Sequence, residues 1–151
     1  MLACHPHYGD CPSRDLPGPF YHKLYMQKET RFSTIPTSEK ITAIYNCLFD
    51  KKGQDILTLD VTDEGVVYDG VVIATATSLR HGQGLSDSVL ELCRQDNIEF
   101  LNIEGYAVGE WILLDLNDVI VHIFQEDTRD MYKLDDLWPN ATALTDSMPL
   151  E

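Results

Sequence analysis

The chain has 151 residues, is 44% hydrophobic, and carries 25 acidic against 11 basic side chains, a formal net charge of −14. That length fits one domain with tails, and the apolar share suffices for a core. The charge argues against direct grip on a nucleic-acid backbone, which needs Lys and Arg, and favours a basic protein as electrostatic partner. No apolar run approaches the ~20 residues of a membrane span. No signal-peptide pattern opens the chain, so a cytoplasmic location is the default expectation. Cys4, Cys11, Cys47 and Cys93 are spread too loosely for a disulfide framework.

All seven prolines lie outside the stretch from Thr37 to Trp138. Proline breaks regular elements, so this stretch is the expected domain, 37–138. Residues 1–36 form an irregular extension and 139–151 a disordered tail. The first 25 residues lack periodicity; either they are a disordered extension or the protein properly begins at Met26, and the second reading is preferred.

Ser38 is placed to cap a helix running to about Asp50, with Ile41, Ile44, Tyr45 and Leu48 on one face. Strands follow near Asp55–Thr62 and Tyr68–Thr75. Ser78 caps a second helix to about Gln95, which buries Leu85, Val89, Leu92 and Cys93. A third strand spans Ile98–Ile103. Trp111 to Leu116 is nearly all apolar, as for a strand covered on both faces. Asn117-Asp118 is a turn pair, and β-branched Val119 to Phe124 is the next strand. Acidic residues open a helix at Glu126-Asp127-Thr128, where the helix N-terminus favours negative charge. Met131, Leu134, Leu137 and Trp138 line one side of it and Tyr132 does not. Trp111 is large for an exposed edge. Aromatics at the margin of a compact module suggest a surface that grips another protein.

The stretch Trp111, Asp115, Asp118, Val119-Ile120-Val121-His122-Ile123-Phe124, Glu126, Arg129, Tyr132, Leu134, Leu137 and Trp138 closely resembles the C-terminal half of the ribosomal silencing factor family, RsfS or Iojap-like. Upstream, Gln54 to Val61 resembles that family's first strand. Asp69 to His81 resembles its D-Y-F-V-I-A-T-G-T-S-x-R-Q/H segment. The resemblance runs from about Ser38 to Trp138. Gly70 stands where the family has a larger residue and Ala76 where it has glycine. Gly82 and Gly84 stand where it has helix formers.

The resemblance implies an α/β fold, a mixed sheet of about five strands with flanking helices, nucleotidyltransferase-like without the catalytic acids. It implies a non-enzymatic protein with no cofactor. Such a protein binds the large ribosomal subunit through its fourteenth protein, blocks joining of the small subunit, and represses translation under nutrient limitation or in stationary phase. The nearest alternative role is large-subunit biogenesis, as for organellar relatives. An alternative of another class is a nucleotide-binding or nucleotidyl-transferring enzyme. By the same resemblance, Trp111, Leu116 and Tyr132 meet the ribosomal protein, with Asp115, Asp118 and Arg80 as further partner-facing candidates.

The residues themselves weigh against catalysis. Two-metal nucleotidyl transfer uses acids at i and i+2 of one strand, which share a face. Asp115 and Asp118 are instead three apart across a turn, and Asp55 and Asp60 are five apart; no Gly-Ser dipeptide offers a phosphate loop. The hydroxyl-rich turn of Thr75, Thr77, Ser78 and Arg80 could hold an anion, but capping by Ser78 is the simpler role. Arg80 either fixes that turn or faces a partner. His122, sharing a strand face with Ile120 and Phe124, reads as a hydrogen-bonded core or partner residue, since no nucleophile motif accompanies it. Cys4, His5, His7 and Cys11 have zinc-ligand chemistry but match no common zinc module, so no metal is expected.

Overall fold

A computed structural model describes residues 34–145. Met26 and the Cys4, His5, His7 and Cys11 group lie outside the described residues. The elements are α1 (Thr37–Asp50), β1 (Gln54–Asp60), β2 (Gly70–Ala76), α2 (Leu79–Asp96), β3 (Asn102–Glu104), β4 (Trp111–Asp115), β5 (Val119–Gln125), α3 (Glu126–Tyr132) and β6 (Thr142–Ala143), with single 3-10 turns at Thr62–Glu64 and Leu134–Asp136. The strands form one six-stranded sheet in the order β3-β4-β5-β2-β1-β6. β2 and β5 run parallel at its centre, from Gly70 opposite Val119 to Ala76 opposite Gln125. The other pairings are antiparallel. The fold is therefore the mixed α/β sheet expected from the sequence.

The two central strands are apolar at nearly every position because both of their faces are covered. On one face lie α1 and α2. Ile41, Ile44 and Leu48 of α1, with Leu85, Val89, Leu90 and Cys93 of α2, meet Val72, Ala74, Ile112, Leu114, Val121 and Ile123. Complete burial of each such side chain stabilises by about 1.5–3 kcal/mol before entropy is counted. Gly70 allows the close approach of α1, because a Cβ there would sit 2.5 Å from Ile41 Cδ1.

Ser78 caps α2 as expected, its hydroxyl accepting from the His81 N–H at 3.0 Å. Ser38 does not cap α1. That helix starts two residues earlier than a Ser38 cap would set, with Pro36 at the N-cap and its carbonyl accepting from Glu39 and Lys40. The Thr37 hydroxyl is drawn away to the Asp118 carboxylate at 2.6 Å. Cys47 and Cys93 are free thiols, and burial pushes Cys93 up to about 12.

The opposite face is finished by the C-terminal segment. Leu59, Val71, Ile73 and Phe124 pack against Trp138, with Leu134 and Ala141 beside it. Here the expected helical stripe fails. Lys133 adopts a left-handed conformation (φ 47°) and ends α3 at Tyr132. Helical periodicity therefore does not continue past it. Trp138 is buried and Leu134 packs against the core, while Met131 and Leu137 are exposed.

The described part of the 139–151 segment also departs from a disordered tail. Thr142 and Ala143 pair with Asp60 and Leu59. Leu144 N–H donates to the Thr58 carbonyl, and the Thr145 hydroxyl accepts from Thr58 N–H, both at 2.8 Å. Without this cover β1 would expose a row of unpaired backbone groups.

Candidate protein-binding surface

β4 is set by the loop before it. Gly105 has φ 75°, and a Cβ there would collide with the Trp111 carbonyl, so the chain can double back only with glycine at this position. Tyr106 pins the loop to α2: its hydroxyl donates to Asp87 at 3.0 Å and its carbonyl accepts from the Gln83 amide at 2.9 Å. Burial and the Asp87 hydrogen bond push the Tyr106 hydroxyl up to about 12. Gln125, ending β5, reaches the Ser78 carbonyl at 2.9 Å and ties the start of α2 to the end of the sheet.

Along β4 the side chains alternate. Ile112 and Leu114 point into the helix-covered core; Trp111, Leu113 and Asp115 occupy the other face and are half-buried. The expectation that β4 is covered on both faces is thus met on one. Leu116 continues the parity of Ile112 and Leu114. It is 0% exposed within the helix-side core, which corrects its placement on the partner-facing surface.

Trp111 and Tyr132 do come together. Their rings lie 4.9 Å apart between centroids, and Trp111 also stacks on Phe124 at 4.9 Å. Tyr132 is 55% exposed. The Trp111 indole N–H donates to His122 Nδ1 at 3.1 Å. His122 is buried, and desolvation pushes it down to about 4, so it is neutral near pH 7.

Arg129 holds α3, and with it Tyr132, in place. Its guanidinium donates to the Asp55 carbonyl (2.6 Å), the Thr75 hydroxyl (2.8 Å) and both Asp135 carboxylate oxygens (3.2 and 2.7 Å). Bidentate charge-assisted bonds of this kind are among the stronger ones in proteins.

The remaining candidates separate. Asp115 shares the Trp111 face, but its carboxylate accepts from Asn117 N–H at 2.9 Å and closes the β4–β5 turn. Asp118 lies on the helix side. Its carboxylate holds Thr37 and the nearly inaccessible Lys40 ammonium at 2.8 Å, and its carbonyl accepts from Asp69 and Gly70. Asp118 is thus a structural clasp between α1 and the sheet. Arg80 is exposed in the first turn of α2. Among the described residues, no group of three or more His, Cys, Asp or Glu could hold a metal ion.

Trp111 and Tyr132 were candidates from the sequence, which did not link His122 or Arg129 to them. One signal for His122 was present. Leu116 N–H bonds to the Val119 carbonyl, so Asn117-Asp118 is a two-residue hairpin loop. Such a loop sets the register and brings Trp111 opposite Phe124 and Leu113 opposite His122.

Comparison with known proteins agrees with this architecture. The profile of the family described as "Ribosomal silencing factor during starvation" matches residues 34–151. The ribosomal silencing factor RsfS of Haemophilus influenzae is 38% identical over 87 residues, 58% of this chain and 85% of that protein. The mouse protein named "Mitochondrial assembly of ribosomal large subunit protein 1" is 27% identical over 103 residues, 65% of this chain and 44% of that protein. A crystal structure from Chromobacterium violaceum superposes with a TM-score of 0.68 at 30% identity, covering 70% of this chain and 88% of that one.

Proposed function

Because the chain belongs to the ribosomal silencing factor family, we propose that it binds the large ribosomal subunit on its fourteenth protein and sterically blocks joining of the small subunit, lowering translation when nutrients are short. It acts by occupying a site rather than by catalysis. The observation that carries this reading is the aromatic pair at the open end of β4. Trp111 is braced by Phe124, and Tyr132 stands beside it with more than half its surface free. Aromatic side chains offer large contact area at small conformational cost and dominate binding energy when buried by a partner. The net charge of −14 complements a basic ribosomal protein and speeds encounter.

The test is sedimentation with separated subunits. The purified protein should travel with the large subunit and hold the small one off. Trp111→Ala or Tyr132→Ala should weaken large-subunit binding roughly 30-fold, the equivalent of about 2 kcal/mol, chiefly through faster dissociation. Migration with joined ribosomes at high occupancy overturns steric exclusion. The name of the mouse relative supports a second reading, in which the same contact serves large-subunit assembly. In that case, loss of the protein depletes mature large subunits instead of raising the fraction of joined ribosomes.

A further inference from the structure

We propose that His122 is a positioning residue for partner binding: its unprotonated Nδ1 accepts the Trp111 indole N–H and thereby fixes how the indole is presented at the surface. This rests on the reading of Trp111 as a partner contact. Three rings surround the indole. Phe124 stacks under it with an interplanar angle of 27°, Tyr132 leans on it at 45°, and the His122 ring lies 5.9 Å away. Stacking defines the plane of an indole but only weakly its rotation within that plane, because the π-face has no strongly directional polar group. The N–H is the one directional handle Trp111 has. It points inward, to His122 Nδ1 at 3.1 Å.

The acceptor is built for this. His122 sits opposite Leu113 in the β4–β5 ladder, two residue pairs from Trp111 and so on the same face, and the two side chains meet diagonally. Its own ring stacks on Phe124 with centroids 6.0 Å apart, so the imidazole is braced by the same ring that braces Trp111. An imidazole with Nδ1 free carries its proton on Nε2. Burial keeps it neutral, and a second proton would set one N–H against another. The partner therefore meets an indole with no free donor. What remains on offer is its hydrocarbon edge and ring face, which suit aliphatic side chains or the stem of a Lys or Arg on a basic protein.

The decisive measurement uses the full chain labelled with 15N. Long-range proton–nitrogen correlation at pH 7 should show His122 as the Nε2–H tautomer, with the Trp111 indole N–H slowed in exchange. A His122 Nδ1–H tautomer overturns the proposal without any variant being made. Binding to isolated large subunits provides the second arm. His122→Asn puts an amide oxygen at the same branch as Nδ1 and should keep affinity within about 3-fold. His122→Leu fills similar space with no acceptor and should weaken binding about 10-fold, near the 1.4 kcal/mol of one hydrogen bond. If folded His122→Leu binds like the parent while Trp111→Ala is weakened, the positioning role is wrong and the surface stands. If Trp111→Ala binds like the parent, the surface assignment fails instead, and the tautomer alone decides what His122 does. Should His122→Leu not fold, the tautomer and the His122→Asn affinity decide.

Discussion

The two faces of the sheet are closed by different means. On one, two helices of 14 and 18 residues lay continuous aliphatic stripes over β2, β4 and β5, and the strand residues beneath them are inaccessible. On the other, a 7-residue helix, a 3-10 turn and the Trp138 that follows them do the covering. That short cover reaches β1, β2 and β5 through Trp138 and Leu134 but leaves β4 half open. A sheet face sealed by long helices leaves none of its own strand side chains open to a partner. A face finished by a short one leaves an edge where aromatic side chains remain available, and Trp111 and Tyr132 occupy that edge. The same strand, β4, serves both roles, because alternation sends Ile112 and Leu114 one way and Trp111 and Leu113 the other.

The contrast can be broken most severely at Asp118. If its carboxylate is the clasp for the buried Lys40, Asp118→Ala leaves an uncompensated ammonium and should cost about 3 to 5 kcal/mol. The melting temperature should then fall by more than 10 °C, roughly 4–8 °C per kcal/mol for a domain this size. A variant that melts like the parent but loses large-subunit binding would return Asp118 to the partner surface.

Leu116 sharpens the parity argument. Leu116→Ala should lose about 3 kcal/mol of stability in denaturant titration, as for other fully buried leucines. Tyr132→Ala, on the open face, should lose about 1 kcal/mol or less while weakening binding. Equal stability losses would mean that the two faces are not distinguished in this way.

His122 makes the open face proton-sensitive in its stability. Burial lowers it from its ordinary 6.5 to about 4. Between those values the unfolded chain takes up a proton that the folded chain refuses. The stabilisation is therefore complete above pH 6.5 and is lost as pH falls toward 4, by up to about 1.4 kcal/mol per pH unit. The difference between parent and His122→Asn, followed by denaturant titration from pH 7.5 to 4.5, should isolate that slope. Parallel curves would mean that His122 is freely protonated in the fold.

The smallest effect is a gain on the helix side. Gly84 is exposed in the middle of α2, and a Cβ there would meet nothing within 4 Å. Gly84→Ala should add about 0.5–1 kcal/mol, since glycine loses more backbone entropy than alanine on entering a helix. It should leave binding unchanged, because α2 covers the closed face.

Element types followed from local pattern. The α1 and α2 stripes, the Ser78 cap and the apolar central strands were legible because each depends on neighbours close in sequence. Trp111 and Tyr132 stood out because each is an aromatic that its own element does not require. The failures came where a distant partner overrode a local preference. Thr37 bonds to Asp118 across the fold, and α1 begins before Ser38 with Pro36 as its cap. Lys133 breaks α3 at a residue with no evident stop signal. Thr142 and Ala143 become a strand only because β1 needs a neighbour. Leu116 was a different kind of miss: its separation from Trp111 already put it on the opposite face of a regular strand.

The sequence by itself determined the family and the mixed α/β class, since motif order and periodicity are properties of the chain read in line. Only the tertiary structure decided which candidates share a surface. It placed Trp111 beside Tyr132, sent Leu116 into the core, turned Asp118 into a clasp for Lys40, and set His122 and Arg129 as supports behind the aromatics. Those outcomes depend on side chains that are far apart in the chain competing for the same hydrogen bonds and the same buried volume, and that competition exists only once the sheet has formed.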